Sequence, residues 1–184
     1  MSKILFINAC VRKESRTLAL AREIAKQLQG EITEVNLERE QLAPLTEQTL
    51  SEREALLKNG EYGAPMLRYA RQFAEADEIV IAAPYWDLGF PALLKCYIEQ
   101  ICAIGVTFAY PEGKPQGLCR ARRLSYVTTA GGKIVHDFGY AYVKALANTF
   151  FGIGDTVCFR AEDLDYTPIT AENVVDAAAV TVIK

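Results

Sequence analysis

The sequence predicts an α/β protein built on a doubly wound, five-stranded parallel sheet with the strand order 2-1-3-4-5. Short apolar runs alternate with segments of helical periodicity along the chain, which is typical of a parallel sheet covered by helices on both faces. The first run, residues 4–7, is continuously apolar, as expected of a strand that is buried on both sides. In this strand order, ligands bind beyond the carboxyl ends of strands one and three.

Strands and helices are assigned in chain order from the apolar periodicity. The predicted strands are residues 4–7, 32–37, 79–83, 124–129 and 156–159. The predicted helices are residues 18–28, 47–58, 65–76, one that begins at Pro91, one over 140–151 and one from about Ala171. Residues 38–77 are interpreted as a helical insertion in a single domain that spans residues 1–184.

Composition narrows the class of protein. With 51% hydrophobic and 23% charged residues, the chain can bury the core of one globular domain. The net charge of −3 favours neither nucleic acid nor an anionic membrane as a partner. We expect no signal peptide and no membrane span. The five cysteines are odd in number and lack a C-x-x-C pair, so we expect reduced thiols, no metal site and a cytoplasmic location.

The loop after strand one has the composition of a phosphate-binding site. It leads into a helix near residues 15–17, and a helix N-terminus offers unpaired N–H groups and a positive dipole end. Arginines add charge-assisted hydrogen bonds, and hydroxyls add neutral ones. The candidate residues are Arg12, Ser15, Arg16 and Thr17. A structural interpretation stays open, in which Ser15 only caps the helix and the arginines are solvated.

Two further loops lie at the same edge of the predicted sheet. After strand three, the flat side chains of Tyr85 and Trp86 precede Pro91, which favours the first position of a helix. After strand four, residues 128–132 combine two threonine hydroxyls with the paired glycines Gly131 and Gly132, which permit close approach of a ligand. One loop suits a phosphate, one a planar ring and one the polar edge of that ring. Together they predict a site for flavin mononucleotide (FMN).

The sequence resembles the flavodoxin-like NAD(P)H oxidoreductases, the group of FMN-dependent azoreductases and quinone reductases. The segments that carry the resemblance are residues 83–99, 105–110 with 117–118, 128–132 and 150–154. They span most of the chain in the order found in the family.

The resemblance implies a role for each loop. It assigns the FMN phosphate to Cys10, Arg12, Ser15, Arg16 and Thr17. It assigns the isoalloxazine ring to Pro84, Tyr85, Trp86, Asp87 and Leu88, and the ring's polar edge to Thr128, Thr129, Gly131 and Gly132. Family members are usually homodimers with active sites at the interface, so the resemblance also implies a homodimer.

The implied reaction is a ping-pong hydride transfer from NADH or NADPH, through the flavin, to a small electron acceptor such as a quinone or an azo compound. No side chain is needed as a nucleophile. His136, the sole histidine, follows the glycine loop and is a candidate to protonate or orient the acceptor, with Tyr140 as a second candidate. A lone histidine is more often structural or simply exposed, so both interpretations stay open.

Two residues depart from the family pattern. The family often has Asn where this chain has Asp87, and a carboxylate near the ring predicts a lower reduction potential for the flavin. Ala130 stands where some azoreductases carry Arg, which removes one contact to the pyrimidine edge.

Two alternatives remain. Cys10 with Arg16-Thr17 spells C-x5-R-T after strand one and resembles the signature of low-molecular-weight tyrosine phosphatases, with Cys10 as the nucleophile. That loop lacks the expected glycine and asparagine, and Asp165-Tyr166 is only a fragment of the acid motif. The other alternative is a non-catalytic flavin-binding carrier or sensor.

Overall fold

Eight strands and six helices make up the computed structural model, which describes residues 1–184. The strands are β1 (Lys3–Asn8), β2 (Glu31–Asn36), β3 (Glu78–Ala82), β4 (Phe108–Ala109), β5 (Gln116–Gly117), β6 (Arg123–Thr129), β7 (Asp155–Ala161) and β8 (Val180–Ile183). The helices are α1 (Arg16–Lys26), α2 (Glu47–Lys58), α3 (Arg68–Glu75), α4 (Ala92–Ile101), α5 (Tyr140–Leu146) and α6 (Val174–Ala177). A 3₁₀ turn precedes α3, and a π-helical turn continues α5.

The central sheet has the order β2-β1-β3-β6-β7-β8, and β4 pairs with β5 in a separate hairpin. The first five strands of the central sheet are parallel. They confirm the predicted doubly wound order, with β6 and β7 as its fourth and fifth strands. The sixth strand, β8, pairs antiparallel with β7 and is additional to the prediction.

The helix predicted from about Ala171 is wrong for most of its length. Only Val174–Ala177 is helical, and Val180–Ile183 forms β8. All four of its residues are β-branched (Val180, Thr181, Val182 and Ile183), and such side chains fit a pleated sheet better than a helix. The pairing also provides hydrogen-bond partners for backbone groups of β7, which would otherwise be the edge of the sheet.

The other helix predictions hold with small shifts. The predicted helix 47–58 is confirmed at both ends by α2, which Thr46 caps through its hydroxyl. Residues 65–76 divide into the 3₁₀ turn Pro65–Leu67 and α3. α4 begins at Ala92, one residue later than predicted, and Pro91 takes the N-cap position.

Alternate residues of the buried strands face two separate cores. Leu5 and Ile7 belong to the larger core, which α3, α4 and α5 cover. Ile4 and Phe6 belong to the smaller core, which lies against α1 and α6. With both sides of β1 covered, its continuous apolar sequence is explained.

Gly117 and Gly152 bring the β4–β5 hairpin against the end of the α5 segment. A Cβ atom at Gly117 would overlap the backbone of Phe151 and Gly152, so no larger residue fits. Gly152 has φ +73°, a conformation that favours glycine and ends the helix. Two distant sequence segments that carry the resemblance, 117–118 and 150–154, are therefore in direct contact.

None of the helices combines the length and the apolar character that crossing a membrane requires.

Candidate functional site

A cleft of about 180 Å³ opens at the carboxyl ends of β1, β3 and β6. This is the edge of the sheet at which the strand order predicts a ligand. The cleft is lined by Cys10, Val11, Arg12, Glu14, Ser15, Arg16, Thr17, Pro84, Tyr85, Trp86, Thr129, Gly131 and Asp165. All five residues predicted in the strand-one loop are therefore brought together with members of the other two loops.

The N-terminus of α1 forms one wall of the cleft. Ser15 is the N-cap, and its hydroxyl accepts a hydrogen bond from the Leu18 N–H at 3.2 Å. The N–H groups of Arg16 and Thr17, in the first turn, have no partner within the helix. The Thr17 hydroxyl lies 2.7 Å from the Thr129 hydroxyl, in a buried contact that joins α1 to the end of β6. The structural role foreseen for Ser15 is therefore real, and the first turn still offers donors to an anion.

The two arginines of this loop have different surroundings. The Arg16 guanidinium donates to the Leu164 carbonyl at 2.7 Å and pairs with the Asp165 carboxylate at 2.7 Å. Arg12 is exposed, and its guanidinium carbon lies 5.8 Å from the centroid of the Trp86 ring. Arg16 is therefore committed to the loop after β7, whereas Arg12 is the cation available to a ligand.

Cys10 does not have the environment of a nucleophile. Its side chain is 4% exposed and its thiol donates to the Ala82 carbonyl at 3.6 Å. Burial raises the pKa of this thiol to about 11, and the nearby Ser15 and Arg22 only partly oppose that effect. The thiol therefore stays protonated at neutral pH, whereas a nucleophilic cysteine needs a lowered pKa. This environment speaks against the phosphatase alternative.

The loop after β3 forms the second wall. The Tyr85 N–H donates to the Thr129 carbonyl at 3.1 Å, and the Tyr85 hydroxyl donates to the His136 carbonyl at 3.0 Å. Tyr85 thus connects the loops that follow β3 and β6. Pro84, Tyr85 and Trp86 line the cleft together, as predicted for the seat of a planar ring.

Asp87 and Leu88 form a tight turn that does not line the cleft. Trp86 and Gly89 close the turn with two backbone hydrogen bonds, of 3.3 and 2.7 Å. Asp87 has φ +51° and Leu88 has φ +65°, a left-handed conformation that costs energy for residues other than glycine. Both residues are exposed and neither lines the cleft, so the structure does not bring them together with Pro84, Tyr85 and Trp86, and their contact with the ring stays a prediction.

The loop after β6 is fastened to the loop after β7. The N–H groups of Leu164 and Asp165 donate to the carbonyls of Ala130 and Gly131 at 3.2 and 3.0 Å. A short hydrogen bond of 2.5 Å joins the Ile134 N–H to the Glu162 carboxylate. The two loops therefore form one rigid unit, which makes up the third wall of the cleft.

Of the four residues predicted in the strand-four loop, Thr129 and Gly131 line the cleft. Thr128 and Gly132 do not. Because successive residues of a strand face opposite sides of a sheet, Thr128 points to the side away from Thr129 and α1. The Thr128 hydroxyl is buried there without a hydrogen-bond partner.

The two candidate proton donors lie outside the cleft. His136 is exposed and its ring stacks on Phe138 with a centroid distance of 5.6 Å. Tyr140 is 4% exposed and donates to the Thr156 hydroxyl at 3.3 Å. Burial raises the pKa of Tyr140. Tyr140 is thus a core residue, whereas His136 remains accessible to a molecule bound over the loops.

A second cavity adjoins the cleft across the Trp86 side chain. It has a volume of about 290 Å³ and is lined by Trp86, Asp87, Gly89, Phe90, Lys95, Phe138 and Tyr142. Four of these side chains are aromatic. Asp87 lies in this cavity rather than in the cleft.

Sequence reasoning missed Asp165, Glu14 and Val11 as lining residues. Asp165 was considered only as part of a phosphatase motif. It comes four residues after the end of β7, at the same edge of the sheet as the predicted loops. That position was the signal that could have identified it.

Comparison with known proteins agrees with this geometry. A family model described as a flavodoxin-like fold matches residues 2–184. The chain belongs to this flavodoxin-like family. A Clostridium acetobutylicum protein named FMN-dependent NADH:quinone oxidoreductase 2 is 35% identical over 188 residues, covering 95% of this chain and 92% of the relative. A Lachnoclostridium phytofermentans protein named FMN-dependent NADH:quinone oxidoreductase is 34% identical over 175 residues, covering 90% and 88%.

Solved structures of this flavodoxin-like fold show the same architecture. The crystal structure of an azoreductase from Bacillus anthracis has a TM-score of 0.78 and 26% sequence identity to the chain. The match covers 96% of this chain and 94% of the azoreductase. The resemblance inferred from the sequence motifs is therefore confirmed at the level of the family and the fold.

Proposed function

We propose that this flavodoxin-like protein is an FMN-dependent oxidoreductase that takes a hydride from NAD(P)H and passes it to a quinone, an azo compound or a similar small acceptor. The observation that carries the proposal is the meeting of three walls at one cleft: the N-terminus of α1, the aromatic loop after β3 and the loop after β6. The names of the relatives from Clostridium acetobutylicum and Lachnoclostridium phytofermentans support the cofactor, NADH as donor and a quinone as acceptor.

The residues of the cleft suit the phosphate of FMN at one end. The first-turn N–H groups of α1 and the Ser15 and Thr17 hydroxyls supply neutral hydrogen-bonding groups, and Arg12 supplies a free cation. Cys10 supplies a small apolar surface because its thiol remains protonated. Arg12 alone, rather than Arg12 together with Arg16, therefore makes the main charged contact to the phosphate.

The opposite end of the cleft suits the flavin ring. Pro84, Tyr85 and Trp86 give a flat apolar wall, and Thr129 with Gly131 gives hydroxyl and backbone groups for the polar edge. FMN, when bound, supplies the hydride chemistry. In this arrangement the ring lies beside the second cavity. The aromatic side chains that line this cavity, from Trp86, Phe90, Phe138 and Tyr142, suit a planar acceptor.

The oligomeric state, the compartment and the role of His136 are proposed from the resemblance to the family. We propose a homodimer in a reducing compartment such as the cytoplasm, with active sites at the subunit interface. All five cysteines are free thiols, which agrees with that compartment. In this arrangement the exposed His136 orients or protonates the acceptor from the loop after β6.

The test is reconstitution of the purified protein with FMN. We expect stoichiometric binding with quenching of flavin fluorescence, and NADH-dependent turnover of quinones and azo dyes. Binding of FMN without turnover of any acceptor would favour a carrier or sensor. Failure to bind FMN, with hydrolysis of p-nitrophenyl phosphate that depends on Cys10, would overturn the proposal.

A further inference from the structure

Asp165 is a carboxylate held in the wall of the cleft, between its two ends. It follows β7, and its N–H donates to the Gly131 carbonyl at 3.0 Å. Its carboxylate pairs with Arg16, which belongs to the first turn of α1. Asp165 thus connects the first turn of α1, at the phosphate end of the cleft, with Gly131, at the ring end.

The two carboxylate oxygens of Asp165 differ. Oδ1 accepts from Arg16 Nη2 at 2.7 Å, and Arg16 is itself fixed by the carbonyls of Leu164 and Ile169 at 2.7 and 3.4 Å. Oδ2 makes no hydrogen bond and lies directly over Gly131, where a Cβ atom would overlap it. A larger residue at position 131 would displace this oxygen. Oδ2 is therefore a positioned acceptor that is free to bind a ligand.

A carboxylate oxygen can only accept hydrogen bonds, so its ligand partner must be a donor. The phosphate of FMN is anionic and would be repelled by Asp165. The donors of FMN are the hydroxyls of the ribityl chain and the N3–H group of the ring. Because the ribityl chain links the phosphate to the ring, its hydroxyls match the position of Asp165 between the two ends of the cleft.

We propose that Asp165 is a specificity-determining residue that accepts hydrogen bonds from the ribityl hydroxyls of the flavin, with Arg16 and Gly131 as the residues that position it. This inference rests on the proposed function. Asp165 makes the cleft selective for a flavin that carries a polyol linker, whereas Arg12 provides the selection for its phosphate.

The charges of the cleft agree with this division of roles. Arg12 and Arg16 supply two positive charges, and Glu14 and Asp165 supply two negative charges. The pairing of Arg16 with Asp165 leaves Arg12 and the α1 N-terminus for the phosphate. It also lets a carboxylate remain near an anionic ligand without net repulsion across the cleft.

The test compares two flavins on wild-type protein and on Asp165→Asn. One flavin is FMN and the other is a flavin whose N10 substituent is a phosphopentyl chain, with the phosphate but without the hydroxyls. Dissociation constants are measured by quenching of flavin fluorescence. We expect Asp165→Asn to weaken FMN binding by about tenfold or more, since hydrogen bonds to charged groups are strong. Binding of the phosphopentyl flavin should not weaken, because this flavin lacks the hydroxyls and loses only the repulsion between the carboxylate and its phosphate.

Asp163→Asn is the matched control. Asp163 lies two residues earlier on the same loop and forms an ion pair with Lys133 outside the cleft, so this variant should bind both flavins as the wild type does. Equal weakening of both flavins by Asp165→Asn, or unchanged binding of FMN, would overturn the inference. Absence of FMN binding by the wild type would instead contradict the proposed function.

Discussion

The hydroxyl groups of Thr17 and Thr129 lie 2.7 Å apart and form the buried link between α1 and the carboxyl end of β6. Thr17 is 1% exposed and Thr129 is 7% exposed, so the contact is largely shielded from bulk water. This contact fixes the distance between the helix N-terminus and the strand-four loop, which are two of the three walls of the cleft.

The first prediction concerns this link. Thr129→Val should lower the free energy of unfolding by about 1–3 kcal/mol, because it leaves the buried Thr17 hydroxyl unsatisfied. Urea denaturation of the apoprotein measures the change. Thr129→Ser keeps the hydroxyl and is the control. In a double-mutant cycle with Thr17→Val, the two effects should be coupled, and strictly additive effects would show that the contact contributes nothing.

The second prediction separates the two arginines. Arg12→Ala should weaken FMN binding by about tenfold or more, through loss of a charge-assisted contact, and leave riboflavin binding nearly unchanged because riboflavin has no phosphate. Arg12→Lys retains the charge and should recover part of the affinity. Titration of both flavins measures the effect. An equal loss for FMN and riboflavin would contradict the assignment of Arg12 to the phosphate.

Arg16→Ala carries a different expectation. Arg16 holds the loop after β7 through Leu164, Ile169 and Asp165. Its removal should lower the melting temperature of the apoprotein, which Arg12→Ala should leave unchanged. Thermal denaturation followed by circular dichroism compares the two variants. Similar melting temperatures for both would show that the Arg16 contacts do not stabilise the loop.

The third prediction concerns the strained turn at Asp87 and Leu88. Leu88→Gly should stabilise the protein by about 1 kcal/mol, because glycine adopts the observed φ of +65° without steric cost. For a chain of this length, the melting temperature should rise by about 2–4 °C. Leu88→Ala keeps the backbone penalty and should give no gain. A lower melting temperature for Leu88→Gly would indicate that the exposed leucine side chain contributes more than the strain costs.

The fourth prediction concerns stability at alkaline pH. Burial raises the pKa of Cys10 to about 11 and that of Cys158 to about 12, from 9.0 for a free thiol. Between pH 9 and these values, the unfolded state loses protons that the folded state retains. Stability from these thiols is therefore complete below pH 9 and is lost as the pH rises, by about 1.4 kcal/mol per pH unit for each thiol.

Urea denaturation at several pH values above 9 measures the slope of the free energy of unfolding against pH. In Cys10→Ala the slope should be smaller by the contribution of one thiol, while activity of the FMN-loaded protein at neutral pH should persist because the thiol has no chemical role. An unchanged slope would contradict the burial of Cys10. Loss of activity without loss of FMN binding would contradict its non-catalytic role.

Much of the fold followed from local sequence patterns. The apolar run of β1 and the periodicity of α2 identified these elements because each pattern is set by the burial of its own residues. The C-terminal segment was mistaken because alanines at 177–179 favour a helix locally, whereas pairing of Val180–Ile183 with β7 depends on a long-range contact. Tertiary pairing overrode local propensity there.

The sequence predicted which residues meet at the candidate site better than it predicted their contacts and burial. Arg12, Trp86 and Gly131 lie in the loops that follow strands, and the strand order brings them to one edge of the sheet. Sequence patterns do not show which side chain is already engaged by another loop, so the pairing of Arg16 with Asp165 was not foreseen. Nor do they show the burial that keeps the Cys10 thiol protonated.

The most direct test of the central claim is an anaerobic absorption experiment on the FMN-loaded protein. NADH should bleach the visible flavin bands, and a quinone added afterwards should restore them without release of the cofactor. Such a cycle would demonstrate hydride transfer into and out of a flavin bound by this chain. A protein that binds FMN but keeps its visible bands unchanged in excess NADH and NADPH would contradict the proposed oxidoreductase function.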